Sequence, residues 1–430
     1  MRDSKKWLVS FHYIQVSVRW CLFAIATGVV CGLAGTALYY MVVGANALRG
    51  DRPYLLYLLP LAGLVVVKVY HMLDIPEDKG PDLIFDSVRE ENHIPFQVSV
   101  AVAISTVITH LFGGSAGRVG AALQVGGGLS SSLGKHFKLN PRDRSLFIMC
   151  GMTGLVTVLF GTPLAATFLS MEVISVGVIY YAALLPCLVT AITAFFVANF
   201  FEIAPLRFSL PDMPAITSIS LLKVGLFSIA CALVSIVFCI AIKELNVILK
   251  KIIPNPYTRI VIGSLAVIGI TLLIGSQTYN GSGNPLLDNA LLNGIANKWD
   301  FLLKLLLTAL TLACGFKGGA VYPAFIIGAT FGCCFGPYFG LPAQFAAAIG
   351  LVALFCGAVN CPIASILLGA EIFGGAGVIF FAIASAISFV FSGYSTLFPG
   401  QDFVYSKLRL EYRHSNIRRR DTEEYESEIS

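Results

Sequence analysis

Charged side chains are scarce in this 430-residue sequence. Only 12% of the residues are Asp, Glu, Lys or Arg, which is about half the share of an ordinary soluble domain, whereas 57% are hydrophobic. A chain with so few polar residues cannot cover a water-soluble globule of this size. The composition therefore excludes an ordinary soluble protein and indicates a chain that folds in a lipid bilayer.

The residue patterns of metal, disulfide and nucleophile chemistry are also missing. The eleven cysteines form no CxxC pair, and the six histidines form no HExxH helix, so we interpret the cysteines as buried thiols and expect no metal or other cofactor. Ser130, Ser131 and Ser132 have only His136 nearby, in a predicted cytoplasmic loop. No nucleophile–base pair at membrane depth is visible, so we expect no enzymatic activity.

Long apolar runs are abundant instead. Nine of them, from Val16–Ala45 to Val378–Phe391, are long enough to cross or enter a bilayer, which predicts an all-α polytopic membrane protein. Basic residues precede the first run and follow the last, so we expect both termini on the cytoplasmic side of the cell (inner) membrane. The end of the chain, RRRDTEEYESEIS, mixes both charge signs. We interpret it as a solvated tail rather than as a nucleic-acid-binding segment.

The same spacing of glycine, proline and glutamate occurs twice in the chain. Gly151, Pro163 and Glu172 are separated by twelve and nine residues, and Gly350, Pro362 and Glu371 repeat both intervals about 200 residues later. Paired halves of this kind are typical of transporter and channel folds, often with inverted topology. The alternative is that both halves merely reuse residues that favour helix packing, but this does not explain the matched spacings.

The repeat divides the sequence into five parts. We predict the following division: a cytoplasmic N-terminus over 1–15, membrane repeat 1 over 16–205, a proline-rich linker over 206–220, membrane repeat 2 over 221–400 and a cytoplasmic tail over 401–430.

Each half contains a glycine-rich break that leads directly into a helix, at Gly113–Gly120 and at Gly315–Tyr322. Non-helical backbone at membrane depth is tolerated only where it is buried or lines a cavity. The first N–H groups of such a helix lack internal partners and carry the positive end of the helix dipole, so they form an anion site. Arg118 and Lys317 add positive charge, unless they extend to the membrane interface instead.

These segments resemble the CLC family of chloride channels and proton-coupled anion antiporters over roughly Gly28–Gln401. GRVGAALQVGG is similar to the family's G-[KR]-E-G-P segment, and GGAVYPAF is similar to G-G-[IE]-x-x-P. TPLAATFLSMEV and CPIASILLGAEIF resemble the helices that follow. HLFGGSAGR and GFKGG resemble the bacterial branch that contains fluoride–proton antiporters.

The resemblance implies a CLC-like fold of two inverted-topology repeats whose broken helices meet at the midplane. It also implies a homodimer in the lipid bilayer, with one pathway per subunit for a small inorganic anion such as chloride or fluoride. The implied pathway residues are Lys79, Gly80, Arg118, Val119, Gly120, Gly319, Ala320, Val321, Tyr322 and Phe398.

The sequence departs from the family where the chemistry depends on titratable groups. Val119 occupies the position of the glutamate that gates the pathway and carries the proton, and Val173 occupies that of the inner proton glutamate, which fluoride-type members also lack. Ala320 stands where the bacterial branch often has a glutamate. Phe398 replaces the tyrosine that touches the central anion. Tyr322 either restores a phenol from the other loop or is a core tyrosine.

Three other ionisable residues have two interpretations each. Lys79 aligns with the selectivity serine of the family and either pairs with an anion or faces Glu77 or Asp78 in a surface loop. Glu172 and Glu371 are candidates for a proton or gating role, or are hydrogen-bonded carboxyl groups that tie helices together.

Because the usual proton carriers are absent, we predict passive, uncoupled anion conduction. The alternative is a proton-coupled antiporter for fluoride or chloride, or a substituted form of one, that uses Glu172 or Tyr322.

Overall fold

The computed structural model describes the backbone of residues 2–75, 80–409 and 411, and the side chains of those ranges from Ile14 onward. The described residues form sixteen α-helices, numbered in chain order: α1 Arg2–Asp51, α2 Leu59–Met72, α3 Asp82–Arg89, α4 Phe96–Leu111, α5 Val119–His136, α6 Pro141–Phe160, α7 Pro163–Glu172, α8 Leu184–Phe200, α9 Ser218–Ile252, α10 Pro256–Ile274, α11 Asn284–Asp288, α12 Asp300–Ala313, α13 Val321–Phe335, α14 Ala343–Val359, α15 Pro362–Phe373 and α16 Val378–Phe391.

Helices of membrane-spanning length make up much of the described chain. Seven are long and apolar enough to cross a membrane: Ile14–Asp51, Pro53–Met72, Pro141–Phe160, Tyr181–Phe200, Ser218–Ile252, Pro256–Ile274 and Val321–Phe339. Pro141–Phe160 and Val321–Phe339 are not among the nine apolar runs of the sequence. Both are mostly buried inside the fold. Because they face other helices rather than lipid, they can contain glycine, threonine and other small residues that interrupt an apolar run.

The two halves contain the same kind of turn. Gly161 is the C-cap residue that follows α6, with φ = 68°, and Asn360 is the C-cap residue that follows α14, with φ = 60°. Each residue donates its backbone N–H to the carbonyl four positions earlier, at 2.7 Å for Gly161 and 2.8 Å for Asn360. A proline then begins the next helix in each half, Pro163 in α7 and Pro362 in α15, where its missing N–H costs no hydrogen bond. The repeated spacing in the sequence therefore encodes a repeated helix–turn–helix.

Each half also contains an equivalent close contact between two successive helices. A Cβ atom placed on Gly126 of α5 would lie 2.2 Å from the carbonyl oxygen of Gly151 in α6. A Cβ atom placed on Gly328 of α13 would lie 2.3 Å from the carbonyl oxygen of Gly350 in α14. Only glycine allows these backbones to approach so closely, so each small-residue helix packs tightly beside its successor.

A short parallel strand pair joins the end of the second half to the first. β1 (Ser175–Val176) follows α7, and β2 (Asp402–Phe403) follows the segment after α16, with Ser175 opposite Asp402. Gln401, next to β2, has no solvent exposure. Packed chain therefore continues past residue 400, the boundary that the repeat pattern gives for the second half.

Candidate functional site

The two glycine-rich breaks meet directly. Gly117, before α5, and Gly319, before α13, exchange both backbone hydrogen bonds, with N–O distances of 2.7 and 2.8 Å. A Cβ atom placed on Gly120 would lie 3.0 Å from the carbonyl oxygen of Gly318 and 3.0 Å from the Cα of Gly319. The starts of α5 and α13, one from each half, are therefore in contact through backbone atoms.

Neither helix start is capped by its own N-cap side chain. Arg118 is the N-cap residue of α5 and Ala320 that of α13, and neither side chain accepts a hydrogen bond from its helix. The first residues, Val119 and Val321, are almost fully buried. Two positive helix ends thus meet in the interior without a side-chain acceptor of their own, which is the arrangement that binds an anion.

Two further segments reach the same place. Gly80, whose φ of +60° suits glycine, and Pro81 lead into α3. Pro81 Cγ would lie 3.7 Å from a Cβ atom on Gly120. The ring of Phe85, on α3, meets the ring of Phe398 edge to face, with 5.3 Å between the centroids. The predicted segments around residues 80, 120, 319 and 398 therefore form one cluster.

The Arg118 guanidinium lies inside the fold against aromatic rings rather than beside a carboxylate. Its Cζ is 4.7 Å from the ring centroid of Tyr39 and 5.8 Å from that of Tyr322. Its Nη2 donates to the carbonyl oxygen of Leu159 at 3.4 Å, whereas its Nε is buried and has no hydrogen-bond partner among the described residues. Among the described residues, the guanidinium is therefore held by ring contacts and one backbone carbonyl.

Two lysines were predicted near the anion site. Lys79 lies outside the described residues. The Lys317 ammonium lies 4.6 Å from the ring centroid of Tyr70.

The Tyr322 hydroxyl does have a partner. It donates to Oδ1 of Asn284, at the start of α11, with an O–O distance of 2.9 Å, and its ring stacks at 6.2 Å on Phe160. Tyr322 is only 3% exposed. These contacts are those of a core tyrosine, the more ordinary of the two interpretations.

Glu172 and Glu371 hold two helices together reciprocally. Glu172, at the end of α7, binds the start of α15, and Glu371, near the end of α15, binds the start of α7. Each carboxylate accepts two backbone N–H groups at distances of 2.8–3.3 Å, from Ile363 and Ala364 for Glu172 and from Leu164 and Ala165 for Glu371. A carboxylate at a helix N-terminus accepts hydrogen bonds from N–H groups that have no partner within the helix, and it interacts favourably with the helix dipole. This geometry favours the interpretation of both residues as carboxyl groups that tie helices together.

Lys304 and Gln401 are among the buried polar residues that the sequence interpretation missed. Lys304, on α12, is fully buried, and its position in the apolar stretch FLLKLLLTALTLA was the available signal. Gln401 carried no comparable signal. Its side chain donates to two carbonyl groups and accepts from two side chains, at 2.8–3.3 Å: Val173, Val359, Thr396 and Asn360.

In the described part of the chain, no group of three or more His, Cys, Asp and Glu residues could hold a metal ion. All eleven cysteines are free thiols.

Two half-helices that meet start to start inside a helical membrane fold define an ion channel or a secondary transporter. A family model described as "Voltage gated chloride channel" matches residues 61–393. The chain belongs to this family, the CLC family, and is thus a multi-pass membrane protein of a family of anion channels and transporters.

Individual relatives agree with this assignment. The chain is 33% identical over 411 residues, 93% of its own length and 91% of the relative's, to "Chloride/fluoride channel protein" of Pseudomonas syringae pv. tomato. The structure matches that of a CLC-type fluoride/proton antiporter with a TM-score of 0.87 and 33% identity, over 90% of this chain and 98% of the other. A slow cyanobacterial Cl⁻/H⁺ antiporter matches with a TM-score of 0.71 and 21% identity, over 87% and 94%, which shows the fold alone. The predicted family, its fluoride-type branch and the fold class are confirmed.

Proposed function

We propose that the chain conducts a small anion, chloride or fluoride, passively and without proton coupling. The observation that carries this proposal is the start of α5, where Val119 is fully buried at the position of the gating glutamate. Valine has no titratable group, so it can neither compete with the anion as a carboxylate nor carry a proton. Ala320 and Phe398 likewise offer no titratable group at their positions.

The positive groups around this point support the anionic charge of the substrate. The uncapped starts of α5 and α13 each present backbone N–H groups, and Arg118 lies beside Tyr39 and Tyr322 without a carboxylate partner among the described residues. The proposed pathway passes between Gly80, Gly120, Gly319 and Phe398. Lys79, which precedes Gly80, is proposed as an additional anion contact.

The same proposal includes the assembly and its orientation. The protein is a homodimer with one pathway per subunit, in the cell membrane with both termini in the cytoplasm, and it has no enzymatic activity. The division into repeats at 16–205 and 221–400 is part of this proposal.

A flux experiment on proteoliposomes tests the mechanism. The vesicles are loaded with chloride or fluoride and diluted into anion-poor buffer with valinomycin, while an anion electrode and a pH electrode record together. We expect rapid anion efflux without stoichiometric proton movement. Proton uptake in a fixed ratio to anion efflux, or anion accumulation driven by a proton gradient, would contradict uncoupled conduction.

The second candidate is a proton-coupled antiporter. It is favoured by the match, at 33% identity, to a structure described as a fluoride/proton antiporter. This mechanism would need another proton carrier, for which Glu172, Glu371 and Tyr322 are the available groups. The hydrogen bonds of all three to helix starts or to Asn284 make them poor alternating carriers, because each would have to break these bonds to move.

A further inference from the structure

A buried lysine contacts the segment that leads into α5. It lies on α12, which contains none of the predicted pathway residues. Lys304 is on α12, and its side chain has no exposed surface. Its ammonium nitrogen donates to Ser115 Oγ at 3.0 Å, to the Tyr279 carbonyl at 3.0 Å and to the Gly281 carbonyl at 2.9 Å. An ammonium group has three N–H donors, and three acceptors match the charged form.

The acceptors of Lys304 are neutral, so its charge is not cancelled by direct contact. No carboxylate of the described residues lies within 4.0 Å of its nitrogen. The nearest acid along α12 is Asp300, one turn earlier. Both Asp300 oxygens are engaged elsewhere, Oδ1 by the Tyr279 hydroxyl at 2.6 Å and Oδ2 by the Asn297 N–H at 2.8 Å. The Lys304 ammonium is therefore buried and bonded to neutral acceptors alone.

The contacts of α12 connect this charge to the start of α5. Lys304, Thr308 and Thr311 lie on one face of α12, because side chains three and four positions apart share a face. Thr308 Oγ1 is 3.0 Å from Ser115 Oγ, and Thr311 Oγ1 accepts from the Ser115 N–H at 3.1 Å. Ser115 is three residues before Arg118. One face of a second-half helix thus holds the backbone that leads into the first anion-binding helix.

A third loop completes the junction. Gly281, which accepts from Lys304, also pairs with the Gly113–Gly120 break: its N–H donates to Gly114 at 3.1 Å, and its carbonyl accepts from the Ala116 N–H at 3.3 Å. Three residues further on, Asn284 accepts from the Tyr322 hydroxyl of α13. The Lys304 ammonium lies where this loop meets the approach to α5.

We propose that the fixed positive charge of Lys304 raises the affinity of the pathway for its anion. The proposal rests on the function proposed above. In the dry interior of a membrane protein, a fixed charge acts over a longer distance than in water, so it need not touch the ion. A unit charge roughly 12 Å from an anion, at an effective dielectric constant of about 20, changes the affinity about tenfold.

The test compares variants that change the charge. Calorimetry measures their binding of chloride and fluoride, and liposome flux gives the half-saturating concentration and the maximal rate. We expect Lys304→Met and Lys304→Gln each to weaken binding and raise the half-saturating concentration about tenfold, although Gln keeps two N–H donors. Asp300→Asn removes the acid one turn earlier on α12 but keeps an acceptor for Tyr279, so it should tighten binding about threefold. Lys298→Met removes an equal charge from an exposed position next to α12 and should change binding less than twofold.

A variant of a neutral neighbour separates the effect of the charge from the effect of the hydrogen bonds that hold Ser115. Thr308→Val removes the hydroxyl near Ser115 but no charge, and we expect it to lower the maximal rate more than the affinity. Wild-type affinity in both Lys304 variants would overturn the proposal, as would rescue by Gln alone, because the hydrogen bonds would then carry the effect. If neither Lys304 variant folds, unchanged or weakened binding in Asp300→Asn overturns it. If wild type neither binds nor transports either anion, the proposed function itself fails.

Discussion

Gly117 and Gly319 pair as a two-residue antiparallel bridge between the halves of the molecule, and this pairing brings the starts of α5 and α13 together. Two uncapped helix ends with the same sign of partial charge repel each other unless a negative group lies between them. The backbone hydrogen bonds offset part of this repulsion and fix the spacing of the two ends.

A methyl group at this bridge should therefore disrupt transport. In Gly319→Ala, the new Cβ would lie 2.4 Å from the backbone nitrogen of Gly120, so the two helix starts must separate. We expect at least a tenfold loss of anion flux in proteoliposomes. Gly269→Ala, within α10, is the matched control, because a Cβ there meets no atom within 4 Å, and it should transport normally. Equal flux in both variants would contradict the assigned role of the bridge.

Placing a carboxylate at residue 119 should introduce proton dependence. Val119→Glu places a titratable group at the start of α5, where it can compete with the anion for the positive helix ends. We expect slower anion flux that increases as the pH falls and protonates the carboxylate, together with measurable proton movement. Val119→Gln is similar in size but does not titrate, so its flux should be independent of pH. A pH-independent Val119→Glu variant would argue against residue 119 as a point in the anion pathway.

Removing one of the reciprocal helix caps should lower stability without changing proton movement. Glu172→Gln and Glu371→Gln each replace a carboxyl acceptor at a helix start by an amide, and we expect each to lower the free energy of unfolding by about 1–3 kcal/mol. Thermal unfolding in detergent gives the comparison, with the exposed Glu244→Gln as control. Unchanged stability combined with altered proton movement would instead assign the two carboxylates to proton transfer.

Gln401 should control the position of Phe398. In Gln401→Leu, two backbone carbonyls and two side chains lose their buried partner, at a cost of about 1–3 kcal/mol for each group left unsatisfied. We expect a lower unfolding temperature and a changed chloride-to-fluoride permeability ratio, measured from reversal potentials. Gln277→Leu, which removes a single hydrogen bond to Pro53, is the control. A destabilised variant with an unchanged permeability ratio would make Gln401 a purely structural residue.

The sequence predicted the site segments better than the roles of their side chains. Glycine breaks before small-residue helices are a local signal, so the segments at Gly117 and Gly319 could be found without coordinates. Glu172 and Glu371 could not be interpreted in the same way, because an apolar helix with one carboxylate is compatible with a proton carrier and with a cap. Their partners lie about 190–210 residues away along the chain, and only packing brings them together.

The sequence by itself determined the medium, from its composition, the two-half architecture, from repeat spacing and glycine position, and the absence of a carboxylate at residue 119, from the identity of that residue. These properties follow from covalent structure: which residues are apolar, where the backbone can break and which side chain can ionise. The tertiary structure alone decided that the two breaks bond to each other, that the two glutamates cap each other's helices and that Lys304 lies behind Ser115. These are contacts between distant residues, and in a membrane they are favoured because unpaired backbone polar groups at that depth are costly.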